Sequence, residues 1–198
     1  MGSVPTVRAE WGMARTHDAL DDRLVEWIGA QPLFFVATAP SGGGGHVNLS
    51  PKGLDSFRVV DPRTVAYLDL TGSGVETIAH LRDNGRLTVM FCGFTGPPRI
   101  LRLFGTGDVI VPGDEEWDDL AARFPDLPGA RAVIRLAIER IATSCGYAVP
   151  VMDLVGPRDT LLQWAERKGA TELTSYRAEK NSVSIDGLPG LAIAAPSE

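Results

Sequence analysis

Cysteine is scarce in this 198-residue chain: Cys92 and Cys145 are the only two, so no disulfide framework is expected. Histidine is almost as rare. His17, His46 and His80 lie far apart and lack metal-ligand spacing with either cysteine, so the sequence supports no metal site and no hydrolase triad. No apolar run approaches the roughly 18 residues that a membrane span requires. The first 30 residues lack the basic-then-apolar layout of a signal peptide, and the expected location is cytoplasmic. Basic charge is in deficit, with 19 Lys plus Arg against 25 Asp plus Glu and a net charge of −6. Neither a membrane nor a nucleic acid is expected as partner, since a nucleic-acid binder usually carries a basic stripe to replace phosphate counterions. Phosphate-loop signatures fail as well. The glycines Gly42, Gly43, Gly44 and Gly45 precede a strand pattern and not a helix, so they form no dinucleotide fingerprint. Thr71-Gly72-Ser73-Gly74 lacks the first glycine of a nucleophile elbow.

What is present is an ordinary globular composition, 44% apolar and 22% charged, long enough for one domain with a real core. The 22 glycines and 14 prolines argue against a helical bundle and for many turns between short elements. Residues 1–15 are expected to form a flexible arm. Thr16 reads as the N-cap of an amphipathic helix over 16–30, with Leu20, Leu24, Trp27 and Ile28 at helical spacing. Strands are expected at 33–39, 46–53, 56–60, 64–70, 86–94 and 99–111, with a bend or bulge at Gly105 and Gly107. Pro51 puts the second of these at a sheet edge or ends it there. Ser73-Gly74-Val75-Glu76 has the pattern of a capping box before a helix that Gly85 stops. A short acidic helix is expected at 114–124 and a longer one at 157–168, stopped by Gly169 and followed by a mixed tail. Residues 131–143 fit either period, and propensity alone slightly favours helix. Strands arranged in hairpins with peripheral helices imply a mainly β, α+β architecture built on an antiparallel sheet or barrel.

Five motifs carry candidate chemistry. In an extended chain, Asn48, Ser50 and Lys52 share one face and offer an amide, a hydroxyl and an ammonium to a polar or anionic ligand; the same alternation also marks a solvated strand face. The segment Leu70-Thr71-Gly72-Ser73-Gly74-Val75-Glu76-Thr77 is a glycine-bearing strand-to-helix turn, whose N–H groups suit an anion; Ser73 and Glu76 equally fit simple helix caps, and the Glu76 charge would compete with a phosphate. Arg99 and Arg102 are separated by an odd number of residues and point to opposite faces of a regular strand. An arginine in so apolar a strand needs a phosphate, a carboxylate or another partner. Cys145 is either a nucleophile without an identifiable base or a buried inert thiol. The polar segment around Lys180-Asn181-Ser182 and Asp186 to Gly190 is either a lid or a surface loop.

The order of these motifs resembles the pyridoxamine 5′-phosphate oxidase-like family of FMN-binding split barrels. The resemblance is carried by Val47-Asn48-Leu49-Ser50-Pro51-Lys52-Gly53, by His80-Leu81-Arg82-Asp83-Asn84-Gly85, by the strand Arg86 to Phe91, and by Arg99-Ile100-Leu101-Arg102-Leu103-Phe104-Gly105. It covers 33–111 well and extends more loosely to Pro150, which would make 131–143 a strand. It implies a six-stranded antiparallel split β-barrel over 16–156, with a C-terminal helix and tail at 157–198 packed on the barrel or on a dimer partner. It further implies a homodimer with FMN at the interface and a small-molecule substrate. Carried over by position, Lys52 falls near the flavin phosphate, Arg102 on the strand after the helix, Thr71 and Ser73 on the phosphate-contacting turn, Asn48 and Ser50 beside the flavin ring, and Thr77 at the helix start. The family's oxidases have Ser-Arg-Lys there, where this chain has Val75-Glu76-Thr77: two positive charges are replaced and one negative charge is added. Three functions are therefore carried forward. They are an FMN-dependent oxidoreductase, a reductase using deazaflavin F420, and a non-enzymatic dimeric protein binding flavin or haem. No catalytic residue is identified.

Overall fold

A computed structural model describes residues 14–192, so of the expected arm at 1–15 all but residues 14 and 15 lie outside the described residues, and Arg15 opens a strand. Eight strands, β1 (Arg15–His17), β2 (Phe34–Thr38), β3 (Asn48–Lys52), β4 (Phe57–Asp61), β5 (Thr64–Leu70), β6 (Arg86–Cys92), β7 (Arg99–Ile110) and β8 (Ala130–Cys145), form one antiparallel sheet. Its order is β3-β2-β6-β7-β8-β5-β4, with β1 added beside the C-terminal half of β8. The helices are α1 (Asp22–Gly29), α2 (Glu76–Asn84), α3 (Trp117–Ala121) and α4 (Thr160–Lys180). The α+β class agrees with expectation. The sheet has eight strands where six were expected, because residues 15–17 and 130–145 join the six read from the sequence pattern.

The sheet rolls up on itself. β2 and β4 are five places apart in the strand order, yet the rings of Phe34 and Phe57 lie 5.0 Å apart. Phe34 also meets Tyr67 of β5 at 5.5 Å, and Phe57 meets Phe91 of β6 at 5.0 Å. These edge-on aromatic contacts fill the interior with Val36, Ile78, Val89, Leu101, Leu103 and Ile134, all buried. The ends β3 and β4 share no ladder, which leaves the barrel split between them.

Residues 130–145 form one long strand, and its ambiguous pattern has two causes. Ala132, Ile134 and Leu136 face the barrel core, while Val133 faces a second cluster under α3 with Leu68, Ile110, Leu120 and Phe124. With both faces covered, alternation disappears. The register then shifts between Phe104 and Gly105 opposite Arg140 and Ile138, so Ile138 and Ile141 both reach the core. Gly105 is needed there, because a Cβ would run into the Ala137 carbonyl.

Three local expectations are corrected. Thr16 lies in β1, paired with Ala142, and α1 is capped instead by Asp21, whose Oδ1 accepts from the Leu24 N–H at 2.8 Å. Helix α3 is shorter than 114–124. The tail after Ala170 is helical to Lys180. Gly169 does break the helix, with φ 66° and ψ 175°. The rings of Trp164 and Tyr176 are 5.0 Å apart, whereas twelve residues of straight helix would separate them by about 18 Å, so α4 is a helical hairpin.

Candidate functional site

The edge strand β3 lies beside β2 with Asn48, Ser50 and Lys52 opposite Thr38, Val36 and Phe34. Those partners are core residues, so this polar row sits on the inner face of the sheet. It forms one wall of a cavity of about 1000 Å³, at the upper end of the roughly 300–1,000 Å³ typical of ligand pockets. A second wall is the turn before α2, with Gly72, Gly74, Glu76 and Thr77. The remainder is mainly apolar: Leu68, Leu70, Leu127 and, from the strand-free segment 151–159 and the start of α4, Met152, Leu154 and Leu161. The β3 and α2 walls form a polar end, and Asp153 and Arg158 of the 151–159 segment also line the cavity.

At the polar end the amide of Asn48 is fully committed. Its Nδ2 donates to Thr38 Oγ1 at 3.1 Å and to Thr77 Oγ1 at 2.9 Å, and its Oδ1 accepts from Ser50 Oγ at 2.9 Å. Thr38 Oγ1 accepts from Asn48 and also lies 3.0 Å from Nδ1 of the buried His80, whose Nε2 has no hydrogen-bond partner among the described residues. What the wall offers a ligand is chiefly acceptors (Asn48 Oδ1, Ser50 Oγ and the Glu76 carboxylate) together with the Thr77 hydroxyl and the spare protons of Lys52.

Behind this wall lies an ionic triad. Asp69, only 1% exposed, accepts from Lys52 Nζ at 2.7 Å and from Arg131 Nε at 2.8 Å. Burial alone would raise its pKa, but the charges and hydrogen bonds of Lys52 and Arg131 outweigh that and hold it at about 2. Arg131 also donates to Asn181 Oδ1 at 2.8 Å and to the Gly74 carbonyl at 2.9 Å. Asn181 Nδ2 in turn donates to the Gly72 carbonyl at 2.9 Å. Four residues before Asn181, Arg177 Nε donates to Thr71 Oγ1 at 2.8 Å, and its Nη2 donates to the Ala130 carbonyl at 3.0 Å. Burial and the neighbouring Arg131 charge lower the pKa of Arg177. The second half of α4 therefore holds the 71–74 turn in place.

The C-terminal loop closes the other side. Asp186 accepts from the His46 backbone N–H at 2.8 Å and pairs with His46 Nδ1 at 2.6 Å, and Arg82 donates to the Gly190 carbonyl. The Ile185 N–H lies 3.4 Å from Glu76 Oε1. Beside this loop His46, Leu49, Ser73, Glu76 and Ile185 line a smaller cavity of about 390 Å³. The loop is thus clamped against β3 and α2.

Four of the seven sequence-derived site residues, Asn48, Ser50, Lys52 and Thr77, line the large cavity, and Ser73 lines the smaller one. Thr71 is buried and bonded to the Gly129 carbonyl and Arg177, so it supports the turn from behind. Arg102 pairs in register with Met90 and Ala142, on the face opposite Leu101 and the core, and donates to Ser144 Oγ at 3.2 Å; it does not join the cavity of its own chain. The expected capping box is absent. Val75 is the N-cap without a side-chain bond, and Glu76 begins the helix. Cys145, expected to be buried if inert, is exposed. Sequence reasoning missed Asp69, Arg131, Arg177 and Asn181. The signal for Asp69 was available: an acid inside Val65-Ala66-Tyr67-Leu68-Asp69-Leu70 requires a buried cation.

Residues 20–145 match the pyridoxamine 5′-phosphate oxidase family. The pyridoxamine 5′-phosphate oxidase family protein ustO of Aspergillus flavus is 48% identical over 192 residues, which cover 88% of this chain and 77% of that protein. Among solved structures, HupZ of Group A Streptococcus is 26% identical, with a TM-score of 0.49 over 62% of this chain and 91% of HupZ. The FAD binding protein of Mycobacterium smegmatis is 17% identical, with a TM-score of 0.44 over 65% of this chain and 95% of that one.

Proposed function

The chain belongs to the pyridoxamine 5′-phosphate oxidase family, and from that membership we propose that it binds a flavin in the cavity between β3 and α2 and acts as an oxidoreductase on a small molecule. The observation that supports this most is the cavity itself: an apolar slot large enough for a planar ring system, with Asn48, Ser50 and Thr77 held rigidly along one side. A bound flavin would supply hydride exchange through its ring. The chain's own residues would orient the ring through the Asn48–Ser50–Thr77 row and exclude water with Leu68, Leu127, Met152 and Leu161. Among the described residues, the ionisable groups lining the cavity are Asp55, Glu76, Asp153, Lys52, Arg131 and Arg158.

The ring end of FMN suits these residues, but the phosphate end does not. Lys52 and Arg131 already share Asp69, Arg102 faces away, and Glu76 faces the cavity. A homodimer with the cofactor near the interface belongs to the same proposal. The outer face of β2, β6 and β7 carries half-buried Phe35, Met90 and Phe104 beside exposed Leu49 of β3, a surface suited to a second copy. Fluorescence titration with FMN, riboflavin and F420 tests the function. Quenching by FMN or riboflavin at micromolar concentration is expected, followed by substrate-dependent bleaching under anaerobic conditions. Tighter binding of F420 would move the assignment to the deazaflavin reductase, and a bound flavin that no reductant or substrate bleaches would leave only a binding protein.

A further inference from the structure

We infer that Glu76 sets the flavin form this cavity prefers, disfavouring a phosphate-bearing cofactor relative to its uncharged counterpart; the inference rests on the flavin reading above and sharpens it. An anionic group of a ligand would meet Lys52, Ser50 and Thr77 at the end formed by β3 and the start of α2. At that end the cations are already engaged within the chain. Lys52 and Arg131 bracket Asp69, and Asp55 is held by Arg58 through a bidentate contact at 2.5 and 2.9 Å. Arg158, Asp153 and Glu76 are the further charged groups of the lining. Within this chain the charges of Lys52, Arg131, Arg158 and Arg58 are matched in number by Asp69, Asp55, Asp153 and Glu76, and Arg177 behind the 71–74 turn adds one positive charge, so Glu76 cancels a cation that a phosphate carrying nearly two negative charges would otherwise draw on.

Among the described residues, Glu76 is not paired with any of those cations. Its Oε1 receives one long bond from the Ile185 N–H, and its other oxygen lies over the backbone of Gly74, where a Cβ would collide with it. It lines both cavities, on the same wall as Thr77. A carboxylate some 6 Å from a phosphate, at an effective dielectric of about 20, weakens phosphate binding by well over tenfold, and it leaves an uncharged ribityl chain almost untouched. A hydroxyl at the same position could instead donate to the carboxylate.

The test is titration of the full chain and of Glu76→Gln with FMN and with riboflavin, together with the thermal shift each protein shows in inorganic phosphate. The expected result is that the parent binds riboflavin at least as tightly as FMN. Glu76→Gln should tighten FMN by about tenfold or more, with riboflavin unchanged within about twofold, and should gain a phosphate-dependent rise in melting temperature that the parent lacks. A parent that prefers FMN by tenfold, or a variant that shifts both flavins equally, overturns the inference. Should neither flavin bind either protein, the flavin reading falls; the phosphate thermal shift then still decides the role of Glu76, since its absence in the variant refutes that role and its appearance only in the variant supports it.

Discussion

Replacing Asp69 by Asn probes the ionic triad behind the cavity. Asp69 titrates at about 2 in the folded chain against an ordinary value of 3.8. A depressed carboxylate contributes stability that is fully present above pH 4 and is lost as the pH falls through 2. At 1.36 kcal/mol per pH unit, that interval corresponds to about 2 kcal/mol. Removing the carboxylate also leaves Arg131, 5% exposed, and Lys52, 23% exposed, without their counter-ion. Breaking one member of a buried ion pair costs about 3–5 kcal/mol; the partial exposure of Lys52 puts the expectation at the lower end, about 3 kcal/mol at pH 7. Urea denaturation followed by tryptophan fluorescence from pH 7 to pH 2 measures both quantities. The variant should be less stable at neutral pH, and its curve should lack the descent between pH 4 and pH 2, so the two proteins converge in acid. Parallel curves through that interval would refute the assignment of the depressed carboxylate to Asp69.

Other positions give separate checks. Gly105→Ala forces a methyl group into the Ala137 carbonyl at the β7–β8 bulge and should cost more than about 3 kcal/mol, seen as loss of soluble protein or a large fall in the denaturation midpoint. Asn48→Ala removes three hydrogen bonds and leaves Thr38 and Thr77 without their shared donor; a loss of about 1–3 kcal/mol is expected by denaturation, with weaker flavin binding by fluorescence quenching. Arg177→Ala frees Thr71 and the Ala130 carbonyl from α4, and hydrogen exchange should accelerate in the 71–74 turn and in the second half of α4 while β6 and β7 stay protected.

The hairpins, the edge position of β3 and the glycine stop of α2 are legible in the sequence because each depends on local chemistry: Pro51 cannot donate to a ladder, and Gly85 takes φ 70° while its N–H bonds to the Leu81 carbonyl. Periodicity fails for residues 130–145 because α3 covers one face, the barrel core covers the other, and the bulge at Gly105 shifts the phase. Only the family resemblance identified that segment as a strand. Thr16 was misread because Asp21 caps α1 equally well, and pairing with residues 141–143 fixes 15–17 as strand. The row Asn48, Ser50 and Lys52 was legible by alternation, but the neutralisation of Lys52 was not. It depends on Asp69, Arg131 and Asn181, which are brought together over more than a hundred residues of chain. The opposite placement of Arg99 and Arg102 followed from their odd spacing; Arg99 lies over the Trp27 ring at 5.1 Å.

The central claim is that a flavin ring occupies the cavity between β3 and α2. Titration of the parent chain and of Ser50→Phe with FMN and riboflavin, read by flavin fluorescence, tests it most directly, because the added ring fills the slot from an edge strand that tolerates aromatics. Saturable quenching by the parent, and at least about tenfold weaker binding by a variant with an unchanged denaturation midpoint, is the expected result. A parent that quenches neither flavin, or a variant that binds as the parent does, would contradict it.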